Sequence, residues 1–211
     1  MVAVVNARGT QPHFASLLDA MREGEPCGDA AACFTMPGVA GSAADLLVIV
    51  DGLGHGAEAA LAAATALQII GASVQEQPAL PLPALLELLE RGLTGTRGAA
   101  IGLARVQGLQ LQYAGIGNTR ALCWRGERLL RLSSRYGIVG GGLPLHVEVM
   151  EMALQAGDWL LLYTDGIEEM LKLPLRLPEW QREPALLCQH LLAHWRAPRD
   201  DAGVLVYGVA A

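Results

Sequence analysis

Two segments of this chain carry the same signature. Residues 46–52 (LLVIVDG) and 160–166 (LLLYTDG) are unbroken apolar runs that end in Asp-Gly. A strand that is apolar on both faces must lie inside a packed sheet, so each run delivers an aspartate to the rim of a buried layer. Asp-Gly is also the commonest two-residue hairpin signal. Against a hairpin, Asp51-Gly52 leads into LGHG and then an Ala/Leu/Ile-rich stretch, 57–74, whose character is helical and not alternating. The second copy leads into IEEMLK, a helix-like sequence with no partner strand behind it.

Interior strands need a core to lie in. With 211 residues, 52% of them apolar, the chain predicts a single domain over 1–211, with no room for a regulatory domain beside it. The net charge of -6 argues against nucleic acid as a partner, since no basic stripe meets phosphates. The first residues, MVAVVNARG, lack the basic start and apolar core of a signal peptide. Segment 57–74 is interrupted by Glu58, Thr65 and Gln68, which predicts a core helix and not a membrane span. A cytoplasmic monomer with no membrane association is expected. Cys27, Cys33, Cys123 and Cys188 form no CxxC pair and no zinc-type spacing, as expected of reduced, mostly buried thiols.

Pattern and turn signals predict strands near 2–5, 31–36, 46–50, 99–106, 109–115, 120–124, 128–132, 147–152, 159–164 and 203–209. Helices are predicted near 57–73, 83–92 and 184–195, the second begun by Pro83 at a favourable first-turn position. The LQLQY run at 109–113 alternates, with leucines and tyrosine on one face and glutamines on the other. Many strands, short loops and few helices predict an α+β layered fold with mainly antiparallel sheets. The proline-rich segment 173–184, carrying Trp180, reads as a surface loop or as a substrate-facing flap.

Further acids stand at strand ends. Asp29 lies just before one predicted strand, and Asp200-Asp201 just before the last. Gathered at one sheet edge, these carboxylates and the two Asp-Gly aspartates repel, and the sequence places no matching set of lysines or arginines beside them. A divalent cation, or two, balances them. Oxygen-only ligands select hard ions such as Mg2+ or Mn2+ over zinc.

The ordered set Gly28-Asp29, Asp51-Gly52-Leu53-Gly54-His55-Gly56, Arg97-Gly98-Ala99-Ala100, Gly115-Ile116-Gly117-Asn118, Thr164-Asp165-Gly166 and Asp200-Asp201 resembles the metal-dependent serine/threonine phosphatases of type 2C, the PPM superfamily. Within it, the set is most similar to the bacterial branch typified by the sporulation stage II protein E. Size and the GE..CGD opening at 24–29 resemble the small stressosome feedback phosphatases of the RsbX type. The resemblance implies an αββα sandwich of two mainly antiparallel sheets flanked by helices. It implies two Mn2+ or Mg2+ ions, with Asp51 bridging both, the Gly52 carbonyl on one, and Asp29, Asp165 and Asp200 completing the ligands. Asp51 and Asp165 are then the catalytic residues, and attack on a phosphoserine or phosphothreonine comes from a metal-bound hydroxide. Consistent with this, the chain shows neither a GxSxG elbow nor a cysteine in a phosphatase-like loop.

The chain departs from the family pattern in three places. Leu53 stands where eukaryotic members carry a histidine as candidate general acid, and His55 reads as a loop-shaping or helix-start residue, with proton donation as the alternative. The closing motif, usually Asp-Asp-x-Thr, is Asp200-Asp201-Ala202-Gly203, which leaves open which aspartate ligates. Arg22 is the nearest counterpart of a phosphate-holding arginine. Among weaker signals, His190 and His194 have i, i+4 spacing without the glutamate of a HExxH site, Gly140-Gly141-Gly142 lacks a following Gly-Lys-Ser/Thr, and Glu168-Glu169 read as a solvated helix face.

The function expected is therefore removal of phosphate from a bacterial regulatory protein, a STAS-domain stressosome protein or an anti-sigma factor antagonist. The alternatives are a catalytically weak or inactive binding module of the same fold in the same pathway, and metal-dependent hydrolysis of a small phosphoester.

Overall fold

Alternation along the two apolar runs decides which layers they join. The computed structural model describes residues 7–8, 11–37, 43–142, 146–169, 171 and 183–210. In chain order its strands are β1 Ala7–Arg8, β2 Gln11–Pro12, β3 Phe14–Asp19, β4 Asp29–Pro37, β5 Ala43–Gly52, β6 Ala99–Gln107, β7 Gln110–Ile116, β8 Arg120–Arg125, β9 Arg128–Leu132, β10 Met150–Ala153, β11 Trp159–Tyr163 and β12 Ala202–Gly208. The helices are α1 Ala57–Glu76, α2 Leu82–Gly92 and α3 Pro184–Trp195. A short β1–β2 pair aside, the strands form two antiparallel five-stranded sheets, ordered β10-β7-β6-β5-β4 and β3-β12-β11-β8-β9.

Each apolar run is an interior strand. Leu46, Val48 and Val50 on one face of β5 pack under α1 and α2 with Ala66, Ile70, Leu86 and Leu89. Leu47 and Ile49 on the other face meet Leu160, Leu162 and Leu205 of the second sheet. Leu161 and Tyr163 of β11 point the opposite way, onto Leu187, Cys188 and Leu191 of α3. The layers are therefore helix, sheet, sheet, helix, an αββα sandwich in which both Asp-Gly strands are apolar on both faces because both faces are covered. By length and composition α1 is long and apolar enough to cross a membrane. Its buried stripe of Ala59, Ala62, Ala63, Ala66 and Ile70 instead lies on the sheet, where small side chains let helix and strands approach closely.

The helices and most strands fall where the sequence places them, and the exceptions have physical causes. No sequence signal marks β3, whose FASLLD lacks alternation; it is an edge strand made by pairing with β12, Ala202 opposite Asp19 through Tyr207 opposite Phe14. The strand predicted from 147 begins at Met150. The helix suggested after the second Asp-Gly does not form over 167–169: Ile167 makes a β-bridge with Arg196, and the Glu168 amide donates to the Trp195 carbonyl. Glu168 and Glu169 are exposed, but on a loop and not on a helix. The strand expected at 2–5 lies outside the described residues, as does the 173–184 segment with Trp180, apart from Glu183 and Pro184. All four cysteines are free thiols, three of them buried and Cys27 partly so.

At the end of β5 away from Asp51, a buried carboxylate ties the sheets together. Asp45 accepts from the Thr35 hydroxyl at 2.7 Å and the Tyr207 hydroxyl at 2.9 Å, with His13 Nε2 3.5 Å away. Removing a donor from a buried charge leaves its desolvation uncompensated. Tyr207→Phe is expected to lower unfolding free energy by about 1–3 kcal/mol, as measured by denaturant unfolding.

Candidate metal centre

Backbone register brings the first two aspartates together. β4 starts at Asp29, β5 ends at Asp51-Gly52, and Asp29 and Asp51 are directly paired across the two strands. In the second sheet β11 runs out at Tyr163 into Thr164-Asp165, while Asp200-Asp201 lead into β12, with the Thr164 amide donating to the Gly203 carbonyl at 3.0 Å. The sandwich thus sets all four strand ends at one edge.

The glycines beside these aspartates make the approach possible. A Cβ on Gly52 would lie 2.2 Å from the Ala59 carbonyl oxygen and 2.9 Å from that of Gly28, and one on Gly166 would lie 1.8 Å from the Asp201 carbonyl oxygen. Neither glycine has a positive φ. They serve close backbone contact, not a hairpin, which is why Asp-Gly recurs at both sites without a turn.

Electrostatics reports the convergence. Asp29 is buried, and its carboxyl is pushed up to about 7, by burial first and then by the charges of Asp201, Asp200 and Asp165, against the lowering effect of a Thr164 hydrogen bond. Asp51 is raised by burial, by the charges of Asp29, Asp165 and Asp200, and by a hydrogen bond with Asp165. Asp200 is raised by burial and by Asp165 and Asp201, with His55 nearby pulling the other way. Asp29 Oδ2 accepts from the Thr164 hydroxyl at 2.6 Å, and Asp165 Oδ2 from the Asn118 side-chain amide at 2.6 Å.

Asp200 and Asp201 separate cleanly. Both oxygens of the buried Asp201 are taken by backbone amides, Met21 at 2.6 Å and Gly28 at 2.7 Å, so this side chain fastens the 21–28 loop. Asp200, partly exposed, accepts the Asp201 amide at 2.9 Å on one oxygen. Gly203, where the pattern has threonine, donates its amide to Thr164 Oγ1 at 2.8 Å, and the same hydroxyl reaches Asp29. The Thr164 hydroxyl therefore links the Gly203 amide to Asp29. Its role is not legible from spacing, because it depends on the pairing of two distant strand ends.

This all-oxygen donor set, with Asp29 and Asp51 raised by burial and by their acidic neighbours, fits a hard divalent cation, which would relieve that repulsion. Among the described residues no group of three or more His, Cys, Asp or Glu side chains is already arranged to hold an ion. Of the other candidates, His55 stands near Asp200 at the edge, and the rest are engaged elsewhere. Arg22 pairs with Glu25 at 3.2 Å. His55 Nδ1 stands 3.7 Å from Glu25, a loop contact. His190 and His194 stack face to face at 4.2 Å on α3, and His194 Nδ1 is engaged by the His190 carbonyl. The amides of Gly140 and Gly142 hold the Glu90 carboxylate at 2.5 and 2.7 Å, so this glycine run cradles an internal anion. Burial pushes the Cys27 thiol up to about 12, with Asp29, Asp201 and Asp19 adding to it, so no thiolate competes as nucleophile.

Comparison with known proteins follows this geometry. The family model described as Stage II sporulation protein E (SpoIIE) matches residues 43–209. A solved chain from work on the bacterial stressosome, as a modular system adapted to control secondary messenger signalling, is 29% identical, with TM-score 0.78 over 92% of this chain and 97% of that one. RsbX in complex with magnesium is 18% identical, with TM-score 0.71 over 97% and 98%. The Mycobacterium tuberculosis serine/threonine phosphatase PstP/Ppp is 17% identical, with TM-score 0.71 over 94% and 98%. No curated protein matches in sequence.

A carboxyl that keeps its proton to higher pH when folded than when unfolded makes the folded state bind more protons in between, so stability falls as pH rises across that interval. For Asp29 the interval runs from 3.8 to about 7, and Asp51 acts in the same direction. In chelator, the thermal midpoint is expected to fall as pH rises from 4 to 7. Adding Mn2+ at pH 7 should raise it, and Asp29→Asn should flatten the pH dependence.

Proposed function

The chain belongs to the stage II sporulation protein E family of PPM-type phosphatases, and from that premise we propose that it is an Mg2+- or Mn2+-dependent protein serine/threonine phosphatase. Its substrate is a phosphorylated bacterial regulatory protein, a STAS-domain stressosome protein or an anti-sigma factor antagonist. It acts in the cytoplasm as a monomer, through one domain spanning 1–211. The observation that carries this reading is the gathering of Asp29, Asp51, Asp165 and Asp200 at one sandwich edge, where Asp29 is paired with Asp51 in register and Asp29, Asp51 and Asp200 each feel the charge of Asp165.

Asp29, Asp51, Asp165, Asp200 and the Gly52 carbonyl would hold the two ions. Such ions lower the pKa of water and offset phosphoryl charge. The chain's own residues set up that chemistry. Asn118 fixes one oxygen of Asp165 and Thr164 one oxygen of Asp29, which orients their remaining lone pairs. Asp201, saturated by two amides, anchors the loop that carries Asp29 and leaves ligation to Asp200. Leu53 offers no proton, so proton delivery to the departing serine or threonine oxygen does not come from that position. The protons that Asp29 and Asp51 retain near neutral pH are displaced as ions enter, which couples ion affinity to pH.

A second reading, a binding module with weak or no turnover, is favoured by Leu53 in the candidate acid position. Turnover of a phosphorylated STAS-domain protein separates the two. The wild type is expected to require Mn2+ or Mg2+, and Asp51→Asn and Asp165→Asn to abolish metal-dependent release of phosphate. Asn118→Ala, which removes a supporting hydrogen bond only, should cost about 10- to 100-fold in activity or ion affinity. Ion binding by calorimetry without any turnover would favour the binding module.

A further inference from the structure

Beside the carboxylate edge opens a cleft of about 710 Å3 that includes Asp51 and Asn118 in its lining. Leu53 lies on it, as do Tyr136 and Ile138 from the loop between β9 and β10. Among the described residues these are three of the five large apolar side chains that stand exposed, and Tyr136 is fully so. Scattered apolar side chains on a surface need no explanation, but three gathered around one concave opening do.

The loop that brings Tyr136 and Ile138 is held in place. Gly117 and Gly115 exchange backbone hydrogen bonds with Arg135, and Ala99 exchanges two with Val139, each at 2.8–2.9 Å. Glu90 on α2 accepts the Gly140 and Gly142 amides. The apolar side chains are thus presented to solvent from a fixed backbone, which lowers the entropic cost of binding against them.

Charge narrows the occupant. In the described lining Asp51 is acidic, His146 is the single basic side chain and there is no lysine or arginine, so an acidic flank finds little to match it. The arginines nearest in sequence are committed elsewhere, Arg135 to Glu148 and Arg97 to Glu58. We infer that the cleft receives a bulky apolar side chain adjacent to the phosphorylated residue of a partner protein, with Leu53, Tyr136 and Ile138 as its specificity-determining wall. This rests on the phosphatase reading for where the phosphoryl group sits, because the cleft is continuous with that site through Asp51 and Asn118. A small phosphoester would leave the apolar wall uncovered, so the occupant is a phosphorylated protein segment.

The test uses phosphoserine peptides that differ only in the residue beside the phosphoserine: leucine, alanine or glutamate. Turnover is measured with Mn2+, and binding by fluorescence anisotropy on matching peptides in which a non-hydrolysable phosphonate replaces the phosphate. The wild type is expected to prefer leucine over alanine by about tenfold in kcat/KM and in affinity, with glutamate weakest. The preference should fall toward unity in the Tyr136→Ser, Ile138→Ser double variant. Turnover without that preference overturns the inference and leaves the phosphatase reading intact. Binding preference without turnover supports the inference and overturns the phosphatase reading. Neither turnover nor preference overturns both.

Discussion

Close backbone contact at the glycines beside the aspartates is the constraint from which the rest of this architecture follows. Gly52 lies against the Gly28 and Ala59 carbonyls, and Gly166 against that of Asp201, at distances no side chain tolerates. Each contact joins a strand end bearing one acid to a segment bearing the next. The apolar runs preceding the glycines are the other half of the same arrangement, because a strand buried on both faces cannot move to relieve the crowding at its tip.

The edge so built is electrostatically costly without ions, and the fold bears that cost through burial elsewhere. Three apolar layers, one under each helical face and one between the sheets, hold the strands in place. The polar connections that remain are local and complete: Thr164 joins Asp29 to Gly203, Asn118 steadies Asp165, and Asp201 is spent on backbone amides. Cohesion and function are therefore physically separate, with packing in the body of the sandwich and unrelieved charge confined to one end. A site of this kind responds to ion concentration and pH without the core taking part.

Much of this was legible in the sequence because burial writes itself into side-chain pattern. The unbroken runs over 46–50 and 160–163 announce interior strands, and the acids at strand ends announce a shared edge. Ligand candidates could be found from that logic alone, but their division of labour could not. The distinction between Asp200 and Asp201 depends on amides at Met21 and Gly28, about 180 positions away, and the linking role of Thr164 on the pairing of two distant strand ends. β3 was hidden for a related reason: an edge strand without alternation is defined by its neighbour. IEEMLK has local helical character, but over 167–169 a bridge from Ile167 to Arg196 overrides it. The glycine run at 140–142 invites a phosphate and in fact holds Glu90, since a nest of amides accepts whichever carboxylate the fold delivers.

The direct pairing of Asp29 with Asp51 has a further meaning. A slip of one residue between β4 and β5 would turn each side chain of one strand to the opposite layer and part the two acids in the same movement. Register and juxtaposition are thus one decision: the hydrogen-bond ladder that fixes the core also fixes whether these two acids meet.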